Sequence, residues 1–179
     1  WGIFAQIFNA DGSTQGSEFQ VNTGNGLSYP SITALNDGGF IITWSSAQGI
    51  SAQRYDANGD ANGTEFKVNT YPSGNGSITA DLDDDGFVIT WHSSDGDGNG
   101  VYAQRYDTNG NRVGAEFKVN TYTIDQQQDS SITALNNGGF VVTWSSAHQD
   151  EINVWGIFAQ IFNADGSTQG SEFQVNTGN

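Results

Sequence analysis

One short segment carries oxygen side chains at alternate positions. Asp95, Asp97 and Asn99 lie within Ser93–Val101 and are followed by a glycine. This spacing matches the first half of a calcium-binding loop, in which alternate oxygens surround a hard cation and glycine permits the sharp turn. The position of the closing glutamate is occupied by Tyr106. The segment predicts a weak calcium site at Asp95, Asp97 and Asn99, and the alternative is an acidic, solvated loop.

Tryptophans recur in two kinds of position. Trp44, Trp91 and Trp144 stand at one equivalent strand position, which indicates a packed interior. Trp1 and Trp155 each begin a strand after a loop, so their rings are better placed to be accessible. An exposed indole can stack on a sugar, and the sequence predicts Trp1 and Trp155 as candidate ligand residues.

No catalytic constellation is visible in the sequence. A glutamate precedes a phenylalanine in every repeat, at Glu18, Glu65, Glu116 and Glu172. A glycosidase needs a carboxylate pair that occurs once, so these glutamates are better explained as strand-edge or packing residues. His92 and His148 stand at non-equivalent positions, and the chain has no cysteine. We therefore expect no enzymatic activity.

The charge of the chain limits its partners. Five basic residues stand against 20 acidic ones, a net charge of −15. This excess disfavours nucleic acid and anionic membrane surfaces, both of which attract basic patches. No apolar run reaches bilayer length. An acidic chain rich in Gly, Asn, Asp and Thr and without cysteine is typical of a secreted bacterial protein, so we expect an extracellular or cell-surface location. The alternative is an acidic cytoplasmic protein.

The chain is built from internal repeats. Residues 155–179 are identical to residues 1–25. An Ala-Gln pair begins at Ala5, Ala52, Ala103 and Ala159, and each Ala is followed 17 residues later by the Asn of "VNT". All length variation falls between such blocks, which is typical of repeat architectures.

Each repeat predicts four short antiparallel strands. Asn/Asp-Gly turns divide each block into two β-rich runs, and no segment has helical periodicity. In one strand Phe140, Val142 and Trp144 share a face, whereas Val141 lies on the other. Apolar residues on both faces favour sheets stacked between neighbours. We therefore predict an all-β fold of four-stranded, propeller-blade-like sheets in an open array, with β-sandwich repeats as the alternative.

Equivalent phenylalanines should then be buried alike. These are Phe40, Phe87 and Phe140 in one strand, and Phe19, Phe66, Phe117 and Phe173 in another.

The repeats also give the organisation of the chain. We assign a half repeat at 1–25 and repeats at 26–74, 75–128 and 129–179, the last ending in a copy of the half repeat. Closed propellers typically have about four to eight blades, so this segment is too short to close a ring alone. We expect a piece of a longer array whose partners are further copies of the repeat, in the same chain or in a neighbouring one.

The motifs "GGFVVTW" at 138–144, "VYAQRYD" at 101–107 and "EFKVNT" at 116–121 resemble tandem repeats of long secreted bacterial surface proteins. Many of these look like type I-secreted adhesins with calcium-binding repeats. The resemblance implies blade-like β repeats, an extracellular location and an adhesive or scaffolding role, and it carries no catalytic residue. The main functional prediction is a structural segment of an adhesin or fibre. The alternatives are a carbohydrate-binding, lectin-like propeller module and a propeller glycosidase.

Overall fold

A computed structural model describes residues 2–24, 26–70, 73–82, 86–150 and 154–176. These residues form 14 strands and no helix, so the predicted all-β class is confirmed. Among them there is accordingly no helix that could cross a bilayer. The strands are β1 Phe4–Phe8, β2 Thr14–Gln20, β3 Gly26–Ala34, β4 Phe40–Ser46, β5 Gly49–Tyr55, β6 Phe66–Lys67, β7 Asn75–Leu82, β8 Gly86–Ser94, β9 Gly98–Tyr106, β10 Arg112–Lys118, β11 Asp125–Ala134, β12 Phe140–Ala147, β13 Trp155–Phe162 and β14 Thr168–Gln174.

The strands pair in chain order into antiparallel sheets. We name β3–β6 sheet I, β7–β10 sheet II and β11–β14 sheet III, and β1–β2 the first hairpin. Sheets II and III also meet through a short parallel contact, in which Asp125 pairs with Gly98 and Gln126 with Asn99. The predicted four strands per repeat are thus present in each complete sheet.

The hairpin turns follow from Asx-Gly-Gly sequences. The carboxylate of Asp37 accepts a 2.9 Å hydrogen bond from the Gly39 amide, and the amide oxygen of Asn137 accepts a 3.1 Å bond from Gly139. The intervening Gly38 has φ +84°, in the left-handed region that glycine adopts without strain. These turns fix the register of β3 with β4 and of β11 with β12.

The hydrophobic cores lie between consecutive sheets. In β4, Ile42 and Trp44 pack towards the first hairpin, while Ile41 packs towards sheet II. This two-sided burial confirms the expectation of stacked sheets. The three equivalent tryptophans are each 1% exposed and belong to these cores, as predicted: Trp44, Trp91 and Trp144. The leading strands β3, β7 and β11 lie side by side in consecutive sheets.

Equivalent phenylalanines are not all buried alike, contrary to expectation. Phe87 and Phe140 are fully buried, whereas Phe40 is half-buried. Phe173 is 45% exposed although Phe19, Phe66 and Phe117 are half-buried. The cause is position: the face of β14 that bears Phe173 has no further sheet against it in the described residues. At the opposite end Phe4 and Phe8 are 56% and 61% exposed for the same reason.

Candidate functional site

A recurring asparagine ties the end of each sheet to its third strand. Asn69 follows β6, and its side-chain oxygen accepts a 2.8 Å hydrogen bond from the main-chain amide of Ile50. A buried main-chain amide needs a hydrogen-bond acceptor, and the Asn69 side chain supplies one at the start of the third strand. The equivalent bonds join Asn22 to Ile3, Asn120 to Val101 and Asn176 to Ile157, each at 2.7 Å.

The recurring glutamate bridges consecutive sheets. Glu116 of β10 accepts a 2.8 Å hydrogen bond from the main-chain amide of Thr70, which follows the last strand of sheet I. These glutamates thus have a structural role, as expected, and this role is to link consecutive sheets. The same bridge joins Glu65 to Thr23 at 3.1 Å and Glu172 to Thr121 at 2.7 Å.

A cleft opens beside each of two such bridges. The larger has a volume of about 270 Å³, and we name it the Tyr102 cleft; it is lined by Asn69, Trp91, Ser93, Ser94, Asp95, Tyr102 and Glu116. The smaller measures about 190 Å³, and we name it the Ser51 cleft; it is lined by Thr23, Gly24, Trp44, Ser46, Ala47, Gln48, Ser51 and Glu65.

The two clefts are equivalent sites with different chemistry. Both have the recurring tryptophan, a serine two residues later and the bridging glutamate. They differ where Tyr102 replaces Ser51 and where Asp95 replaces Gln48. The common residues belong to the junction between sheets, and the differing ones determine what each cleft presents.

The Tyr102 cleft combines an aromatic wall with carboxylates. The rings of Tyr102 and Trp91 are stacked, with centroids 6.3 Å apart and planes inclined by 17°. Lys118 lies 5.6 Å from the Tyr102 centroid and forms a 2.9 Å ion pair with Asp95. The Asp95 side chain is 2% exposed, so this lysine compensates a carboxylate withdrawn from water. Glu116 supplies the second carboxylate of the cleft.

The predicted calcium ligands are only partly brought together. Asp95 lies in the cleft, Asp97 is exposed, and Asn99 is half-buried at its pairing with Ser94 in β8. The Asp97 main-chain amide donates a 3.3 Å hydrogen bond to Asp95. Within the described residues, no group of three or more His, Asp or Glu side chains could hold a metal ion. Calcium binding at Asp95, Asp97 and Asn99 stays a prediction.

Of the two predicted sugar-stacking residues, Trp155 lies outside the two clefts. Trp155 begins β13 opposite Ala147 and is 49% exposed, while Trp1 lies outside the described residues. Stacking on either ring stays a prediction. Sequence reasoning missed Tyr102 as a site residue. Its signal was the departure from the repeat, because an aromatic residue replaces the Ser51 of the preceding repeat.

The chain matches no protein-family model and no curated protein. It is similar to the crystal structure of an α-L-arabinofuranosidase from Lactobacillus brevis, with a TM-score of 0.54 and 15% identity over 82% of this chain and 52% of that one. A thermostable family-43 glycoside hydrolase gives a TM-score of 0.55 and 12% identity over 85% and 54%. These neighbours are five-bladed β-propellers, and the chain spans about half of their length. The likeness concerns the fold, which is propeller-like.

These comparisons correct two expectations. The interpretation as a structural segment of an adhesin or fibre is wrong, because the similar solved structures named above are glycoside hydrolases. The expectation that the chain is not an enzyme is contradicted by the same finding. The second expectation relied on polar residues that recur in every repeat. That reasoning considered Asp95 only as a calcium ligand and overlooked Tyr102, where one repeat differs from the preceding one.

Proposed function

We propose that the chain is a carbohydrate-binding propeller module that holds a sugar unit in the Tyr102 cleft. The observation that carries this proposal is that the aromatic side chains of Tyr102 and Trp91 and the carboxylate of Glu116 line one cleft of about 270 Å³, beside the buried ion pair of Asp95 and Lys118. The C–H face of a sugar packs on an aromatic ring, and its hydroxyls donate hydrogen bonds to carboxylates. An apolar wall with a few convergent polar groups is typical of small-ligand sites.

The charge of the protein narrows the ligand class. A net charge of −15 repels anions, and Lys118, the basic residue over the Tyr102 ring, is already paired with Asp95. A neutral sugar is therefore favoured over a uronic acid or a sulfated glycan. The Ser51 cleft has the same frame, including Trp44, without a tyrosine, so it should bind the same sugar more weakly.

Glycoside hydrolysis is the second candidate, and one observation favours it. Glycosidases use two carboxylates that flank the scissile bond, and Asp95 and Glu116 line the same cleft. Glu116 recurs, but the preceding repeat has Gln48 in place of Asp95, so the pair is not repeated there. The solved neighbours are glycoside hydrolases by name, and arabinofuranosides are the substrates to test first.

Calorimetric titration with arabino- and xylo-oligosaccharides tests binding. Replacing Tyr102 by Ala removes about 1 kcal/mol or more of aromatic contact, which corresponds to at least about fivefold weaker binding. Replacing Ser51 by Ala is the matched control and should leave the affinity within about twofold. Equal affinity in Tyr102→Ala and the parent would overturn the proposal. Release of a chromophore from an aryl arabinofuranoside, abolished in Asp95→Asn, would establish hydrolysis.

A second part of the proposal concerns how the sheets are arranged and what covers their outer faces. We propose an open row of blade-like sheets in a secreted protein, in which further copies of the repeat cover the outer faces. The exposure of Phe4 and Phe8 at one end and of Phe173 at the other supports it, because uncovered aromatic faces favour association. Light scattering during size-exclusion chromatography tests whether separate chains associate through these faces.

A further inference from the structure

The third inter-sheet bridge holds an amide of the chain itself. Glu172 is equivalent to Glu116, and its Oε2 atom accepts hydrogen bonds from Thr121, at 2.7 Å from the main-chain amide and 3.0 Å from the hydroxyl. Its other oxygen, Oε1, accepts a hydrogen bond from the side-chain amide of Gln149. The carboxylate therefore lies between the Thr121 groups on one side and a primary amide on the other.

The Tyr102 cleft has the same glutamate without that amide. Glu116 Oε2 accepts the Thr70 amide at 2.8 Å, whereas among the described residues no hydrogen bond reaches Glu116 Oε1. The reason lies in the connections between strands. Only residues 95–97 join β8 to β9, but residues 148–154 join β12 to β13 and include Gln149. The Tyr102 cleft thus leaves open the position that Gln149 fills at the third bridge.

We infer that the Tyr102 cleft is selective for N-acetylated sugars, whose acetamido N–H would bind Glu116 Oε1 as the Gln149 amide binds Glu172. This inference rests on the proposed carbohydrate-binding function and adds the substituent that is recognised. The acetamido group is the common sugar substituent that offers a neutral N–H donor, and the sugar ring packs on Tyr102. A hydrogen bond to a carboxylate is stronger than a neutral one, so the acetamido N–H gains from this acceptor.

Paired sugars test the inference. N-acetylglucosamine and N-acetylgalactosamine are titrated calorimetrically beside glucose and galactose, which have a hydroxyl in place of the acetamido group. We expect the N-acetylated member of each pair to bind about fivefold more tightly. A hydroxyl can also donate to the carboxylate, so the difference comes from the fit of the amide N–H and the apolar contact of the acetyl methyl group, together about 1 kcal/mol. Replacing Glu116 by Gln should abolish that preference, because the Gln oxygen is used by Thr70 and its NH₂ group faces the ligand N–H.

Replacing Glu172 by Gln is the matched control. Glu172 forms the same bridge, to Thr121, and lines neither cleft, so the variant removes an equal charge and perturbs an equal bridge elsewhere. We expect the control to keep the N-acetyl preference, with both variants melting at similar temperatures. Loss of the preference in both variants would overturn the inference, because the effect would not be local to Glu116.

The outcomes separate the inference from the function on which it rests. Equal binding within each sugar pair overturns the N-acetyl inference and leaves carbohydrate binding in place. No binding of any of the sugars, including the arabino-oligosaccharides, overturns both. Tighter binding of a short glutamine-containing peptide than of N-acetylglucosamine overturns the sugar assignment, since the amide would then belong to a peptide.

Discussion

Two valines in identical sequences test the packing of the sheets. Val21 and Val175 occupy the same place in the repeated segments 1–25 and 155–179. Their amides make equal main-chain hydrogen bonds, 2.8 Å to Ile3 and 2.7 Å to Ile157. Val21 is 5% exposed in the core under the first hairpin, whereas Val175 is 51% exposed. The same substitution at both sites therefore isolates burial from local propensity.

Replacing Val21 by Ala removes two buried methyl groups. Transfer costs about 0.8 kcal/mol for each, and the cavity left behind raises the loss to about 2 kcal/mol. At Val175 about half of the side chain is already in water and the space opens to solvent, so we expect about 0.5–0.8 kcal/mol. Hydrogen exchange measured by mass spectrometry reports the opening free energy of each hairpin separately.

Equal losses at the two positions would refute this reasoning. A large loss at Val175 would mean that another sheet covers β14 in solution. A small loss at Val21 would mean that the first hairpin does not rest on sheet I as described.

Three further predictions concern charge. Replacing Lys118 by Ala leaves the buried Asp95 carboxylate without its cation and should cost about 1–3 kcal/mol of unfolding free energy. Replacing the exposed, equivalent Lys67 by Ala should cost under about 0.5 kcal/mol. Equal melting temperatures of the two variants would contradict this prediction. Burial lowers the pKa of His92 from 6.5, so the unfolded chain binds a proton more readily than the folded one. The free energy of unfolding should therefore fall as pH drops below 6.5. Urea titrations of His92→Gln should show that this dependence on pH is lost. Hydrogen bonds from the following turn residues lower the pKa of four carboxylates from 3.8. Their contribution to the stability of the fold is therefore present above pH 3.8 and is lost as pH falls through the pKa values of the folded state. An acid unfolding transition that is unchanged after all four are replaced by Asn would contradict this prediction. The four are Asp11, Asp56, Asp107 and Asp165.

The sequence was sufficient for the strands and the stacking of sheets because both depend on local patterns. The turn at Asp37 is specified by its own side chain and by the glycines that follow. The opposite orientations of Ile41 and Ile42 follow from the two-residue period of a strand, and apolar residues in both orientations require a neighbour on each face. The burial of Trp44 could be predicted from these periodicities alone.

The contents of the junctions could not be predicted, because they depend on distances between sheets. Nothing in the repeated Glu-Phe motif indicates that Glu116 reaches Thr70 of the preceding repeat, 46 residues away. The role of Gln149 depends on the length of one connection and on the direction of its side chain. The exposure of Phe173 follows from the absence of a covering sheet in the described residues, which its own repeat does not reveal.

The likeness of the two clefts has an evolutionary consequence. Trp91, Ser93 and Glu116 recur because they belong to the junction between sheets, while Tyr102 and Asp95 differ from their counterparts without disturbing it. Tyr102 can therefore vary with little effect on the junction, whereas Glu116 belongs both to the junction and to the proposed sugar site, so a mutation there is expected to affect both. A chain that grows by copying its sheets gains spare junctions at each step. New specificities can arise in the copies while the original site keeps its function.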